Sequence, residues 1–171
     1  PEHLRRPEYA PPRPDSHSAG FPRILVLPSI TDPGNLGTLL RSALAFSYDE
    51  VWLGKETCDP FNRKALRASM GAALVLDVRE AVPQDLTGLS GRASANGVLF
   101  PVLAAALEEG AVEAGALRGL GAHALLLEFS GIPADWRKIC TQVVQIAVSP
   151  DVDSLNVAIA GSILMYELGR R

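Results

Sequence analysis

The chain has 171 residues, 47% of them hydrophobic and only 6% aromatic, enough for one domain with a substantial core of strands and closely packed helices. No apolar run reaches membrane-spanning length without a charge, proline or turn, which excludes a spanning helix and points to a soluble protein. With 16 basic and 19 acidic residues the net charge is −3, which speaks against an extended phosphate-tracking surface but not against a local one.

Residues 1–22 carry Pro7, Pro11, Pro12, Pro14 and Pro22 among charges without periodicity, the composition of an extended tail or linker. Arg5, Arg6 and Arg13 could touch nucleic acid, although a solvated linker is the better reading. The first residue is Pro1 and no secretory pattern follows, as in a fragment or a processed form. A mitochondrial or plastid home would fit such processing, and simple trimming fits equally. The domain proper is expected over residues 23–171. Cys58 and Cys140 form neither a metal-type cluster nor a disulfide framework and read as ordinary thiols in a reducing compartment. His3, His17 and His123 have no metal-like spacing, so no metal is expected.

Arg23–Leu27 is a short continuous apolar run, the pattern of a strand buried on both faces. A turn-rich loop, Pro28–Gly34, leads into a helix over 35–46 on the spacing of Leu36, Leu39, Leu40, Ala43 and Leu44. Glu50–Gly54 is the next strand. Phe61–Met70 reads as a basic helix carrying Arg63, Lys64 and Arg67, which could meet RNA phosphates or simply face solvent. Ala72–Val78 reads as a third strand, and 79–95 as a loop or short helix. Gly97–Leu103 reads as a strand that Pro101 confines to an edge or an early end. Ala104–Leu120 is helical in places, broken by Gly110, Gly115 and Gly119. Ala124–Leu127 is a buried strand, Pro133–Ile139 a short helix, Val143–Val148 the last strand and Leu155–Leu168 the last helix.

Strands alternating with helices predict an α/β fold, a parallel sheet with helices on both faces. Ligands then sit beyond the carboxyl ends of the strands, where Ser29–Gly34, Glu128–Pro133 and Ser149–Asp153 fall. In the closing segment Ser154 could cap the last helix, with Leu155, Ile159, Ile163 and Tyr166 as its core face. In the first helix Asn35 lies near the start. Arg41 is a cation poorly matched to the helix dipole, which points to an anionic partner or ligand. A capping Asn35 and a structural ion pair at Arg41 are equally good readings of that segment alone.

The segment Asp32-Pro33-Gly34-Asn35-Leu36-Gly37-Thr38-Leu39-Leu40-Arg41-Ser42-Ala43 resembles motif 1 of the SpoU (TrmH-type) RNA 2′-O-ribose methyltransferases, of the SPOUT superfamily. Asp153-Ser154-Leu155-Asn156-Val157-Ala158 is similar to motif 3 of that family, and Arg67-Ala68-Ser69-Met70-Gly71-Ala72 to its junction between the motifs. The resemblance implies a C-terminal trefoil knot, S-adenosylmethionine as cofactor, and two chains paired across the site, as a homodimer or with a related chain. It implies a cofactor pocket at Leu127, Gly131, Ile146, Val148, Leu155 and Asn156. It implies Arg41, Asn35, Ser154, Asn156 and Glu128 as the catalytic group, and RNA contacts at Arg41, Arg63, Lys64 and Arg67.

Motif 2 departs from the family pattern of a glycine-flanked glutamate. Aligned on Glu128 and Gly131, the sequence has Leu126 and Phe129 at glycine positions; aligned on the strand, Ser130 takes the glutamate's place. Ala147 also stands where a proline is usual. Two function classes follow. The first is a 2′-O-methyltransferase acting on ribosomal or transfer RNA. The alternative is a relative without catalysis that serves as an RNA-binding or ribosome-assembly factor.

Overall fold

The computed structural model describes residues 21–92, 97, 99–128 and 131–170. Seven parallel strands form one sheet in the order β3-β2-β1-β6-β4-β7-β5. They are β1 (Arg23–Leu27), β2 (Glu50–Leu53), β3 (Asp77–Glu80), β4 (Val102–Ala105), β5 (Val112–Glu113), β6 (His123–Leu126) and β7 (Gln142–Gln145). The helices are α1 (Pro33–Ala45), α2 (Arg63–Ala68), α3 (Ala72–Val75), α4 (Pro83–Ser90), α5 (Ala134–Arg137) and α6 (Val157–Gly169). The proline-rich stretch 1–20 lies outside the described residues. Phe21, at its end, packs on Phe100 with ring centroids 5.7 Å apart.

Alternate side chains of β1 enter two different cores, as the period of a strand requires. Leu25 and Leu27 meet Leu36, Leu39 and Leu40 of α1 and Leu164, Met165 and Leu168 of α6. Ile24 and Val26 meet Leu86 of α4, Phe100 and Trp136 of α5 on the opposite face. Both Trp52 and Trp136 are buried packing residues. Among the described residues no helix is long and apolar enough to cross a membrane.

Four expected elements are corrected. Ala72–Val78 is not one strand: α3 comes first and β3 begins only at Asp77. Gly71, at φ +82°, turns the chain, and Leu74 and Val75 stay half-exposed; a short apolar run cannot by itself separate a helical turn from a strand. The strand expected over 97–103 starts after Pro101, and its place is central, between β6 and β7. Pro101 lacks an N–H but its carbonyl accepts from Ala124 N, so it ends the approach instead of marking an edge. The stretch 104–120 holds the end of β4, β5 and a 3₁₀ turn at Ala114–Leu117, with no α-helix; Gly110 and Gly119 at positive φ break it. The last helix is capped by Asn156, not Ser154, and starts at Val157: Asn156 Oδ1 accepts from Ala158 N and Ile159 N. Its inward face is Val157, Ala158, Gly161, Leu164, Met165 and Leu168, whereas Ile159 and Tyr166 point outward.

Candidate active site

The loop after β1 is clamped before it reaches α1. Thr57 Oγ1 donates to Leu27 O (2.8 Å) and accepts from Ile30 N (3.1 Å), while Cys58 N donates to Ile30 O. At the end of that loop Asp32, not Asn35, is the cap of α1, its Oδ1 accepting from Asn35 N at 2.8 Å. Pro33 follows at the first helical position, where its missing N–H costs nothing. The Asn35 amide and the Lys64 ammonium, 3.0 Å from Asp32 Oδ2, hold this carboxyl below its ordinary range. The sequence gives no signal for the part Thr57 plays, because a lone threonine in a loop carries no periodicity.

The two ends of the chain meet at this helix. Asn156 Nδ2 donates to Asn35 Oδ1 at 3.1 Å. About two helical turns deeper, Ser162 Oγ donates to Ala158 O, so it accepts from Ser42 Oγ at 2.7 Å. Gly161 permits this closeness: a Cβ there would lie 2.5 Å from side-chain atoms of both Leu39 and Leu127.

Beside this junction, beyond the carboxyl ends of β4, β6 and β7, a cavity of about 400 Å³ opens, within the size range of small-molecule sites. Leu127, Gly131, Ile146, Val148 and Leu155 line it, as do Glu128 and Ser154. Asn156, expected in the pocket wall, is not among the lining residues: it sits between the lining Leu155 and Val157, its side chain turned to the cap of α6. The loop after β4, through Ala106 and Leu107, supplies a wall that the sequence does not announce, because the alanine- and glutamate-rich composition there suggests helix. Asp153, from a loop the sequence places at the ligand end of the sheet, lines it too, and Ala160 and Leu164 do so without any signal in the sequence.

Of the departures in motif 2, the one at Leu126 falls off this cavity. Leu126 is fully buried in the core of the opposite sheet face, with Ile24, Val26 and Trp136, so its side chain takes no space from the cavity. Gly131 has φ +96°, and a Cβ there would meet nothing within 4 Å. Phe129 and Ser130 lie outside the described residues. Among the described residues no group of His, Cys, Asp or Glu is placed to hold a metal ion.

Arg41 is exposed, more than two turns into α1, beyond the end where the helix dipole acts. The dipole mismatch is therefore small, but Arg41 has no ion pair among the described residues and its guanidinium is free for an external anion. On α2, Lys64 is engaged by Asp32, while Arg63 and Arg67 face solvent. The structure thus joins Asn35 to Asn156 by a hydrogen bond and places Ser154 and Glu128 in the cavity wall. It sets Arg63 and Arg67 apart on α2.

The chain is similar along most of its length to known RNA methyltransferases. It is 33% identical over 166 residues to the 23S rRNA (guanosine(2553)-2′-O)-methyltransferase RlmP of Bacillus subtilis, covering 91% of this chain and 61% of that protein. It is 34% identical over 151 residues to the uncharacterized tRNA/rRNA methyltransferase slr1673 of Synechocystis, covering 86% and 53%. An AdoMet-bound rRNA methyltransferase from Sinorhizobium meliloti superposes with a TM-score of 0.74 at 29% identity, covering 90% of this chain and 58% of that one. The chain spans only about half to three-fifths of the length of these proteins. The profile of the SpoU rRNA Methylase family matches residues 22–166, across both chain ends that meet at Asn35 and Asn156; the chain belongs to that family.

Proposed function

We propose that the protein is an RNA 2′-O-ribose methyltransferase that uses S-adenosylmethionine. The observation that carries this reading is the Asn35–Asn156 hydrogen bond, which joins the motif 1 segment to the motif 3 segment, whose Asp153, Ser154, Leu155 and Val157 line the cavity. The cavity's donor set suits the cofactor: Leu127, Ile146, Val148 and Leu155 offer apolar surface to an adenosine, while Glu128, Asp153 and Ser154 offer polar atoms. Gly131 leaves space for the backbone to approach a ligand. When bound, S-adenosylmethionine supplies an already activated methyl group, so the chain's task is chiefly alignment of a ribose hydroxyl.

Arg41 is suited to bind an RNA phosphate bidentately and to stabilise negative charge that develops on the hydroxyl oxygen. Its guanidinium stays protonated, which makes a base role unsuitable. Asn156 spends its carbonyl on the α6 cap and its amide on Asn35, so it orients Asn35, and Ser154 is the hydroxyl that faces the ligand. The outward face of α6, with Ile159 and Tyr166 about half exposed, supports pairing with a second copy or a related chain. The same family resemblance supports the knotted threading of the C-terminal segment.

Calorimetric titration with S-adenosylmethionine, together with 2′-O-methyl nucleoside analysis of unmodified ribosomal and transfer RNA after incubation, tests the proposal. Saturable cofactor heat and methyl transfer are expected, with Arg41→Ala retaining the heat and losing about 10²–10³-fold in rate. Absence of both heat and thermal shift at millimolar cofactor would leave the RNA-binding or ribosome-assembly reading in its place.

A further inference from the structure

Helix α2 ends in a turn that holds a methionine where glycine is favoured. Gly71 N donates to Leu66 O and Met70 N to Arg67 O, the paired bonds of a Schellman ending, whose residue after the cap must be left-handed. Met70 takes that conformation at φ +51°, which strains a residue with a Cβ. Its side chain is 75% exposed, the most of the large apolar residues described. The fold therefore bears two costs at one residue, backbone strain and an apolar side chain in water. Neither stabilises the folded state.

The surroundings say what this side chain is for. Arg63 and Arg67 share one side of α2, Met70 follows directly at the end of that helix, and both arginines are exposed with no ion pair among the described residues. Leu74 and Val75, each 45% exposed, extend the apolar surface on α3. Against α2 lies Gly37 of α1, where an added Cβ would strike Ala68, Ala65 and Ser69 within 3 Å. Arg41 is one turn further along that side of α1. Cations beside a flat apolar spot match a chain of anionic phosphates carrying apolar base faces. We propose that Met70 is a platform for a nucleobase of single-stranded RNA, with Arg63 and Arg67 holding the phosphates next to it. This rests on the RNA reading above and adds to it a residue that senses the presence of a base.

The test uses the full chain and two probes, an unpaired oligoribonucleotide of mixed sequence and an abasic ribose-phosphate strand of equal length. Met70→Gly, which suits the left-handed turn, keeps or raises Tm. It weakens binding of the base-bearing strand about two- to tenfold, the range of a thioether-to-ring contact, and leaves abasic binding unchanged. Arg67→Ala weakens both strands and lowers the salt dependence. Met70→Gly binding both strands as the wild type does, or losing both equally, overturns the platform. So does a change in sedimentation mass, which would assign the apolar spot to a protein contact. If the wild type binds neither strand, the RNA reading itself falls; if it binds both and only the Met70 effect is missing, that reading survives without the platform.

Discussion

Substituting alanine for Gly161 couples the packing of α6 to the cavity. The new Cβ would lie 2.5 Å from Leu127 Cδ1 and 2.5 Å from Leu39 Cδ2, whereas carbon atoms rest about 3.5–4.0 Å apart. Each leucine must therefore withdraw by about 1 Å or more. Leu39 is fully buried, but Leu127 borders the cavity, so Leu127 is the side chain that moves, and it moves into the ligand space. Overpacking of this kind costs about 1–3 kcal/mol, and removing a glycine from a helix interior offsets about 1 kcal/mol of it. A net loss of about 0–2 kcal/mol lowers Tm by about 0–8 °C in a chain of this size. Cofactor affinity falls about tenfold, the equivalent of about 1.4 kcal/mol. Thermal melts and calorimetric titration of Gly161→Ala, alone and combined with Leu127→Ala, read both effects, and the double variant loses less stability than the two single variants summed, because Leu127→Ala removes one of the two clashes. A Gly161→Ala protein that gains the full helix-propensity increment and binds the cofactor as tightly as the wild type would refute the packing argument.

Two further outcomes concern ionisable groups near the two ends of β1. Tyr48 Oη donates to His123 Nε2 at 2.6 Å, since Nδ1 of the neutral ring gives its hydrogen to Gly121 O. Both residues are fully buried, so Tyr48→Phe is expected to cost about 1–3 kcal/mol in urea unfolding, and a loss below about 0.5 kcal/mol would show that the bond contributes nothing. Burial pushes the Tyr48 hydroxyl far above its ordinary 10.0. Its stabilising share is therefore whole below that value and is lost above it, as the unfolded chain ionises. An absorbance titration should show no Tyr48 phenolate before the fold melts. At Asp32 the sign is opposite: its carboxyl is held low by the Asn35 amide and Lys64. That contribution is present above the ordinary carboxylate value and disappears as pH falls through the depressed one. Asp32→Asn keeps an acceptor for the cap but loses this share, so its acid-side stability curve should be shallower than that of the wild type. Identical acid limbs would remove Asp32 from the account.

Much of this protein is legible as text because local chemistry dictates it. The run Ile24–Leu27 has to be a strand with two buried faces, and Asn35, Arg41, Ser154 and Asn156 form a recognisable set before any coordinate is known. The start of α1 is not legible in this way, because Asp32, Pro33 and Gly34 read as turn residues until Asp32 is seen to cap the helix in place of Asn35. What eludes the sequence depends on which side of an element faces which neighbour. The phase of α6 differs from the one its apolar spacing suggests because nearly every residue from Leu155 to Leu168 is apolar or small, so periodicity gives little contrast; Gly161 against Leu39 and Leu127 sets it instead. Leu126 looks like an obstacle to a ligand, yet alternation along β6 sends it into the far core and gives Leu127 to the cavity. The cavity wall from Ala106 and Leu107 cannot be foreseen, because β4 joins its neighbours only through residues distant in sequence. Local propensity fixes the elements and the residues they carry, and long-range packing alone decides that Asn35 and Asn156, 121 positions apart, share one hydrogen bond.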